Sequence, residues 1–541
     1  MTTVTELPRN NASYDYIIVG GGTAGCVVAS RLAQYLPDKT ILVIEGGPSD
    51  HKDLRILDLK KIVELWGGDF DYNYTSIEQP FGNSHIVHSR AKVLGGCSSH
   101  NGGISFLPFE YDTKRWEKLG AEGWSFAQFT RLIGKLRVTI NPVLSQYQNA
   151  VDKAFIKSCA KTFDIPEVPN FNQEILKHGY PKSSTGFIDI TYDPSNGYRS
   201  SASNAYIHPI LTGQEHRPNL TILTNAWVDR VNVKNNRAVG VNVRLQSGKR
   251  IEVLSRRETI LCTGSIDTPR LLLLSGIGPA EDLKSVGVPL VQDLPGVGNN
   301  LMDHPETIVM WEMNEELPPE VINHSEAAMF LRREPYNANG DDGDIPDTLF
   351  HMFSIPFDSN IARMNYEAPK NAYCMIPNVS RPRSRGRLYL TSADPTVKPA
   401  IDFGYLSDPE KYDQKALVYM VKQSRKMAEQ APFKDFIKRE VAPGPHIQSD
   451  ADLIEYNRQA HNTVYHSCGT AKMGNTKTDP LAVVDPTLKV KGIAGLRIAD
   501  ASIFPVITSA NPMLTVLAIG ERAAELIVGD VQNAPLALHK L

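Results

Sequence analysis

The chain has 541 residues with 57 basic and 60 acidic side chains, a formal net charge of −3. Hydrophobic residues at 41% and charged residues at 22% describe a globular chain and exclude a disordered, collagen-like or small disulfide-held one. The near-neutral balance excludes a dedicated nucleic-acid binder, which needs a clear basic excess.

The N-terminal stretch has no apolar core, so no signal peptide is expected. No apolar run approaches the roughly 18 residues of a membrane span, so no membrane partner is expected. The six cysteines include no C-x-x-C pair, which leaves no expected metal site. Low cysteine use fits an intracellular, reducing compartment. The terminal His539-Lys540-Leu541 loosely resembles the peroxisomal S-K-L address, so cytoplasm and peroxisome both stay open.

Residues 15–19 predict a short strand, and Cys26 onward predicts a helix. Between them lies Gly20-Gly21-Gly22-Thr23-Ala24-Gly25. Strand, Gly-rich turn and helix in that order predict a dinucleotide site, with the pyrophosphate at the helix N-terminus. Gly20 permits the turn, Gly22 admits the phosphates, and Gly25 lets helix and strand pack closely. A second strand ends in Glu45, 25 residues after Gly20, where a ribose hydroxyl needs an acceptor.

Four later segments follow: 90–103 (RAKVLGGCSSHNGG), 264–270 (GSIDTPR), 294–305 (LPGVGNNLMDHP), and Tyr465-His466 with 495–502 and Asn511-Pro512. In this order they resemble the glucose–methanol–choline (GMC) flavin oxidoreductases, and more narrowly the choline oxidases. The resemblance implies an α/β fold in which a Rossmann-like FAD-binding domain is joined to a substrate domain with an antiparallel sheet. Segments 1–165, 200–310 and 462–541 would form the first, and 166–199 with 311–461 the second. TIVMWEM, DTLFHMF, NAYCMIPNV and GRLYLTS predict strands of that antiparallel sheet. The resemblance further implies FAD bound by Gly20, Gly22, Gly25, Glu45, Gly95, Gly96, Asn101 and Asp500, and linked covalently through His100.

His466, read at the end of a strand, is the expected base, since a neutral imidazole accepts a proton near neutral pH. The family pairs this histidine with a second His or Asn, here Asn511, and His351 would hydrogen-bond the alcohol oxygen. Glu312, in an apolar strand, is expected to face a substrate cation, with Tyr465 offering an aromatic face. The implied reaction takes choline through betaine aldehyde to glycine betaine, with O2 as acceptor and H2O2 as product. The alternative is a GMC oxidase or dehydrogenase for another primary alcohol. The sequence departs from the choline-oxidase pattern at Ile62 and along 323–331, where tryptophans are expected, and at Gly102, where a serine is. Trp66, Phe330, Phe353 and Phe357 are candidates for rebuilding an aromatic cage. Asp341-Asp342-Gly343-Asp344 reads as a solvated entrance loop, and a homodimer stays open.

Overall fold

A computed structural model describes residues 7–333 and 343–532. Asp341, Asp342 and the His-Lys-Leu terminus lie outside the described residues; Gly343 and Asp344 form an exposed turn.

The first sheet grows from the predicted strands. Ala12–Val19 lies between Ile41–Ile44 and Arg250–Leu261, all parallel, with Leu220–Leu223 and Leu496–Ile498 extending the parallel set. Ile41, Leu42, Val43 and Ile44 are all buried, as expected of a parallel strand covered on both faces. Arg250–Leu261 is 12 residues long, and its first half continues into an antiparallel meander with Arg237–Leu245 and Ala226–Lys234. Helix Thr23–Tyr35 covers one face and packs against the C-terminal helix Met513–Gln532. There Arg31 forms a buried ion pair with Glu521 at 2.8 Å, and the Tyr206 hydroxyl donates to the same carboxylate at 2.7 Å.

The second sheet has eight strands. Its main path is antiparallel and runs Ile437–Ala442, Val309–Met313, Ala372–Val379, Thr348–Phe353, Ala327–Leu331, Ser184–Phe187. The short strands Pro305–Glu306 and Asn462–Thr463 join it through Asn378. The expected strand in GRLYLTS forms at Gly386–Tyr389, but not in this sheet. It sits in a three-stranded sheet with Asn299–Leu301 and Ala400–Asp402, because Gly386 is pressed against the backbone of Asp402 and Phe403.

Candidate active site

One cavity of about 300 Å³ is bordered by the first sheet's strand ends and by the second sheet. On the first side, the turn after Val19 leads into helix Thr23–Tyr35, whose N-cap is Gly22 with no side-chain cap. The amides of its first turn are therefore left to a ligand. Gly25 is obligatory here: a Cβ would stand 2.0 Å from the Gly20 carbonyl oxygen. The carboxylate of Glu45, also on the cavity wall, accepts from Gly21 N–H at 2.9 Å and Gly47 N–H at 2.7 Å. Burial pushes its pKa up to about 7. Asp500 accepts from Gly264 N–H and the Thr268 hydroxyl, fixing a second helix start on the same wall. An uncapped helix end, a Gly-lined turn and a buried acceptor at the next strand end fit a dinucleotide.

The 93–101 loop crosses this cradle closely enough that a Cβ on Gly96 would lie 2.7 Å from the Gly22 Cα. Gly95, at φ +90°, opens the short helical turn that carries His100 to the cavity. His100 Nε2 faces the Leu65 carbonyl at 3.2 Å and therefore carries the proton. Its Nδ1 lies 3.5 Å from the Ser89 hydroxyl, and burial lowers the imidazole pKa to about 4. Asn101 accepts from Gly103 N–H at 3.0 Å and borders the same cavity.

On the second side, Pro305 pairs with Thr463, Glu306 with Asn462, and Met302 with Cys468. Two antiparallel segments thus run side by side, and His304 meets His466, Nδ1 to Nδ1, at 2.9 Å. His304 Nε2 faces the Ser380 carbonyl at 3.1 Å, so it holds the proton there. His304 Nδ1 is then the acceptor and His466 Nδ1–H the donor, which leaves His466 Nε2 as a lone pair. The Asn511 amide approaches that nitrogen at 3.4 Å. Burial, then the nearby His304 and His351, lowers the His466 pKa well below the histidine range, so the ring is a neutral base. His351 borders the cavity beside Asn511, and burial lowers its pKa to about 4 while the Asn511 amide opposes the shift.

His466 does not close a strand, as the sequence predicts. The strand stops at Thr463, and Tyr465 turns the chain at φ +62°, a strained setting for an aromatic residue. The Thr463 hydroxyl accepts Tyr465 N–H at 2.7 Å, and Arg90 donates to the Tyr465 carbonyl. Buried Asp303 accepts His466 N–H at 2.9 Å, the Thr463 hydroxyl, and the Tyr405 hydroxyl at 2.6 Å.

The expected cation partner is displaced. Glu312 does not border the cavity; Lys438 and Arg439, on the adjacent strand, each hold its carboxylate at 2.7 Å. Those two cations lower its pKa, and they already neutralise it. On the side of the cavity formed by the second sheet the carboxylate is Glu306, 2% exposed, beside Asn462 and Tyr465. Burial, and then the charge of Asp303, raises its pKa well above the carboxylate range. Trp66 stands 5.4 Å from Tyr465, 5.7 Å from Phe357 and 6.3 Å from Phe353, all on the same wall. Phe330 is elsewhere, packed among Phe106, Phe109 and Phe171. Glu306 and His304 were missed in the sequence because they read as the tail of a Gly-rich motif; the available signal was a Glu directly before an apolar strand.

Among the described residues, no helix is long and apolar enough to cross a membrane, and no group of three metal-ligating side chains forms a site. Family models described as GMC oxidoreductase match residues 14–306 and 382–520. Choline oxidase of Arthrobacter globiformis is 36% identical, covering 96% of this chain and 95% of that protein. An alcohol dehydrogenase [acceptor] of Pseudomonas putida is 32% identical, covering 97% of each. The crystal structure of pyridoxine 4-oxidase from Mesorbium loti superposes with a TM-score of 0.84 at 25% identity, covering 95% of this chain and 98% of that one. With a dinucleotide cradle and a buried, neutral histidine facing one cavity, the chain belongs to the GMC oxidoreductase family, FAD-dependent oxidoreductases acting on CH–OH groups.

Proposed function

We propose that the protein oxidises choline, or a close amino alcohol, through betaine aldehyde to glycine betaine, with O2 accepting the electrons and H2O2 released. The observation that carries this reading is Glu306, a buried carboxylate on a wall shared with Trp66, Phe353, Phe357 and Tyr465. A quaternary ammonium offers no N–H to donate, so its site needs a negative charge and aromatic faces. Burial holds Glu306 toward its neutral form, and a cation placed against it favours ionisation and offsets that cost.

In this reading the alcohol oxygen sits between His466, Asn511 and His351. His466 Nε2 takes the hydroxyl proton, and its imidazolium charge is shared with His304 through their Nδ1 contact. The Asn511 amide donates to the developing alkoxide, and neutral His351 supplies a second donor without competing for the proton. FAD, when bound, would supply the hydride acceptor for the carbinol carbon. The uncapped turn at Gly22 would hold its pyrophosphate and Glu45 its ribose. His100 would carry the covalent link, for which a neutral ring is the nucleophilic form.

Glu306→Gln should raise KM for choline at least tenfold more than KM for 3,3-dimethylbutanol, its uncharged isostere. Equal effects on both would remove the cation reading and favour a neutral primary alcohol. Acid precipitation should leave the yellow flavin in the protein pellet; flavin in the supernatant would refute the link at His100.

A further inference from the structure

The cavity has a third corner that neither the base nor the cage uses. Its wall is built by Ile62, Gly102, Asn323 and Ser325. A Cβ on Gly102 would lie 3.4 Å from the Asn323 amide nitrogen and 3.6 Å from Ile62 Cδ1, so these residues meet. The 323–331 stretch has no tryptophan, and neither of its two rings, His324 and Phe330, borders the cavity.

Ser325 is 4% exposed, yet its hydroxyl has no hydrogen-bond partner among the described residues. The loop that presents it is rigid. Buried Glu326 accepts the amides of Ile322 at 2.6 Å, Asn323 at 2.9 Å and His324 at 3.1 Å. The Asn323 side chain accepts Ser325 N–H at 2.9 Å and donates to the Gly102 carbonyl at 2.6 Å. Asn323 is therefore held at both ends of its amide, while the Ser325 hydroxyl has no protein partner among the described residues. A buried hydroxyl without a partner is costly, and a substrate group that satisfies it recovers that cost.

We propose that Ser325 is a specificity-determining residue that binds a second oxygen on the substrate, so that the preferred alcohols carry an additional hydroxyalkyl arm. Resting on the ammonium reading above, the class is amino alcohols with two 2-hydroxyethyl groups on one nitrogen. One arm reaches His466, the nitrogen sits against Glu306 and the rings, and the other arm turns toward Ser325.

The test compares two cations of equal shape, bis(2-hydroxyethyl)dimethylammonium and (2-hydroxyethyl)dimethyl(propyl)ammonium, with the holoenzyme. The diol should exceed the propyl compound in kcat/KM by about fivefold beyond the twofold due to its two reactive ends, as one neutral hydrogen bond supplies. Ser325→Ala should reduce the ratio to about two, while Ser325→Thr, which keeps the hydroxyl, should preserve it. A wild-type ratio of two, or a ratio that survives Ser325→Ala, overturns the proposal. The uncharged pair diethylene glycol and 2-propoxyethanol separates the two readings. If neither cation is oxidised but this pair shows the Ser325-dependent ratio, the ammonium reading falls and the subsite stands. If the cations are oxidised without that dependence, the subsite alone falls.

Discussion

Two side chains in the cavity titrate in opposite senses, and the substrate's charge decides which one the rate reports. His466 has a lowered pKa, so it stays a neutral base as pH falls through the ordinary histidine range. For an uncharged alcohol, kcat/KM should therefore hold through pH 6.5 and decline only below it. Glu306 has a raised pKa, and a cation binds its ionised form. The ratio of kcat/KM for choline to that for 3,3-dimethylbutanol should then rise with pH until Glu306 is fully ionised. Glu306→Gln should flatten that ratio; a ratio independent of pH in the native enzyme would place the cation elsewhere. That His466 and Asn511 meet on one cavity was legible in the sequence because Tyr465-His466 and Asn511-Pro512 each sit in a local motif. The cation partner was not. Glu306 and Glu312 are six residues apart, an even spacing that strand alternation cannot separate. What separates them is tertiary: register shifts in the pairing of Val309–Met313 with Ile437–Ala442, where Lys438 and Arg439 await Glu312.

At the scale of elements, the paired segments 302–306 and 462–468 do the positioning. Asp303 is their buckle: it receives the His466 amide and two hydroxyls, and thereby holds the left-handed turn at Tyr465. An amide at this position could accept only part of that set. Asp303→Asn should lower kcat tenfold or more and move the acid limb for an uncharged alcohol, because the His466 ring is no longer held against His304. A loss of folded protein with an unchanged pH profile in the surviving enzyme would reduce Asp303 to a structural role. Tyr405→Phe removes one of the three donors and should show the same change in smaller measure. The strands that flank this site were readable from apolar runs, but their sheet partners were not: GRLYLTS reads as a strand like the others, yet pairs with Asn299–Leu301 and Ala400–Asp402.

At the scale of the whole molecule, the order of motifs made the interleaving of the two sheets legible, since the first sheet needs residues from both ends of the chain. The clamp that joins those ends was not, because Arg31 and Glu521 are each unremarkable within their own helices. Arg31→Met would strand the Glu521 carboxylate in the interior with the Tyr206 hydroxyl as its remaining donor. Breaking a buried pair in this way costs about 3–5 kcal/mol, to be read as a lowered thermal midpoint of the holoenzyme. A shift no larger than that of an exposed Arg131→Met control would show the pair to be dispensable.

The antiparallel register of 302–306 with 462–468 has a consequence for how such an enzyme diversifies. His466, Glu306 and Tyr465 are all delivered by one pairing, so a single-residue insertion in either segment would displace all three together. Variation that keeps the enzyme alive must therefore fall outside that pairing, on walls that can change one at a time. The loop around Ser325, with Ile62 and Gly102, is such a wall, and new substrates would be acquired there while the oxidation step stays intact.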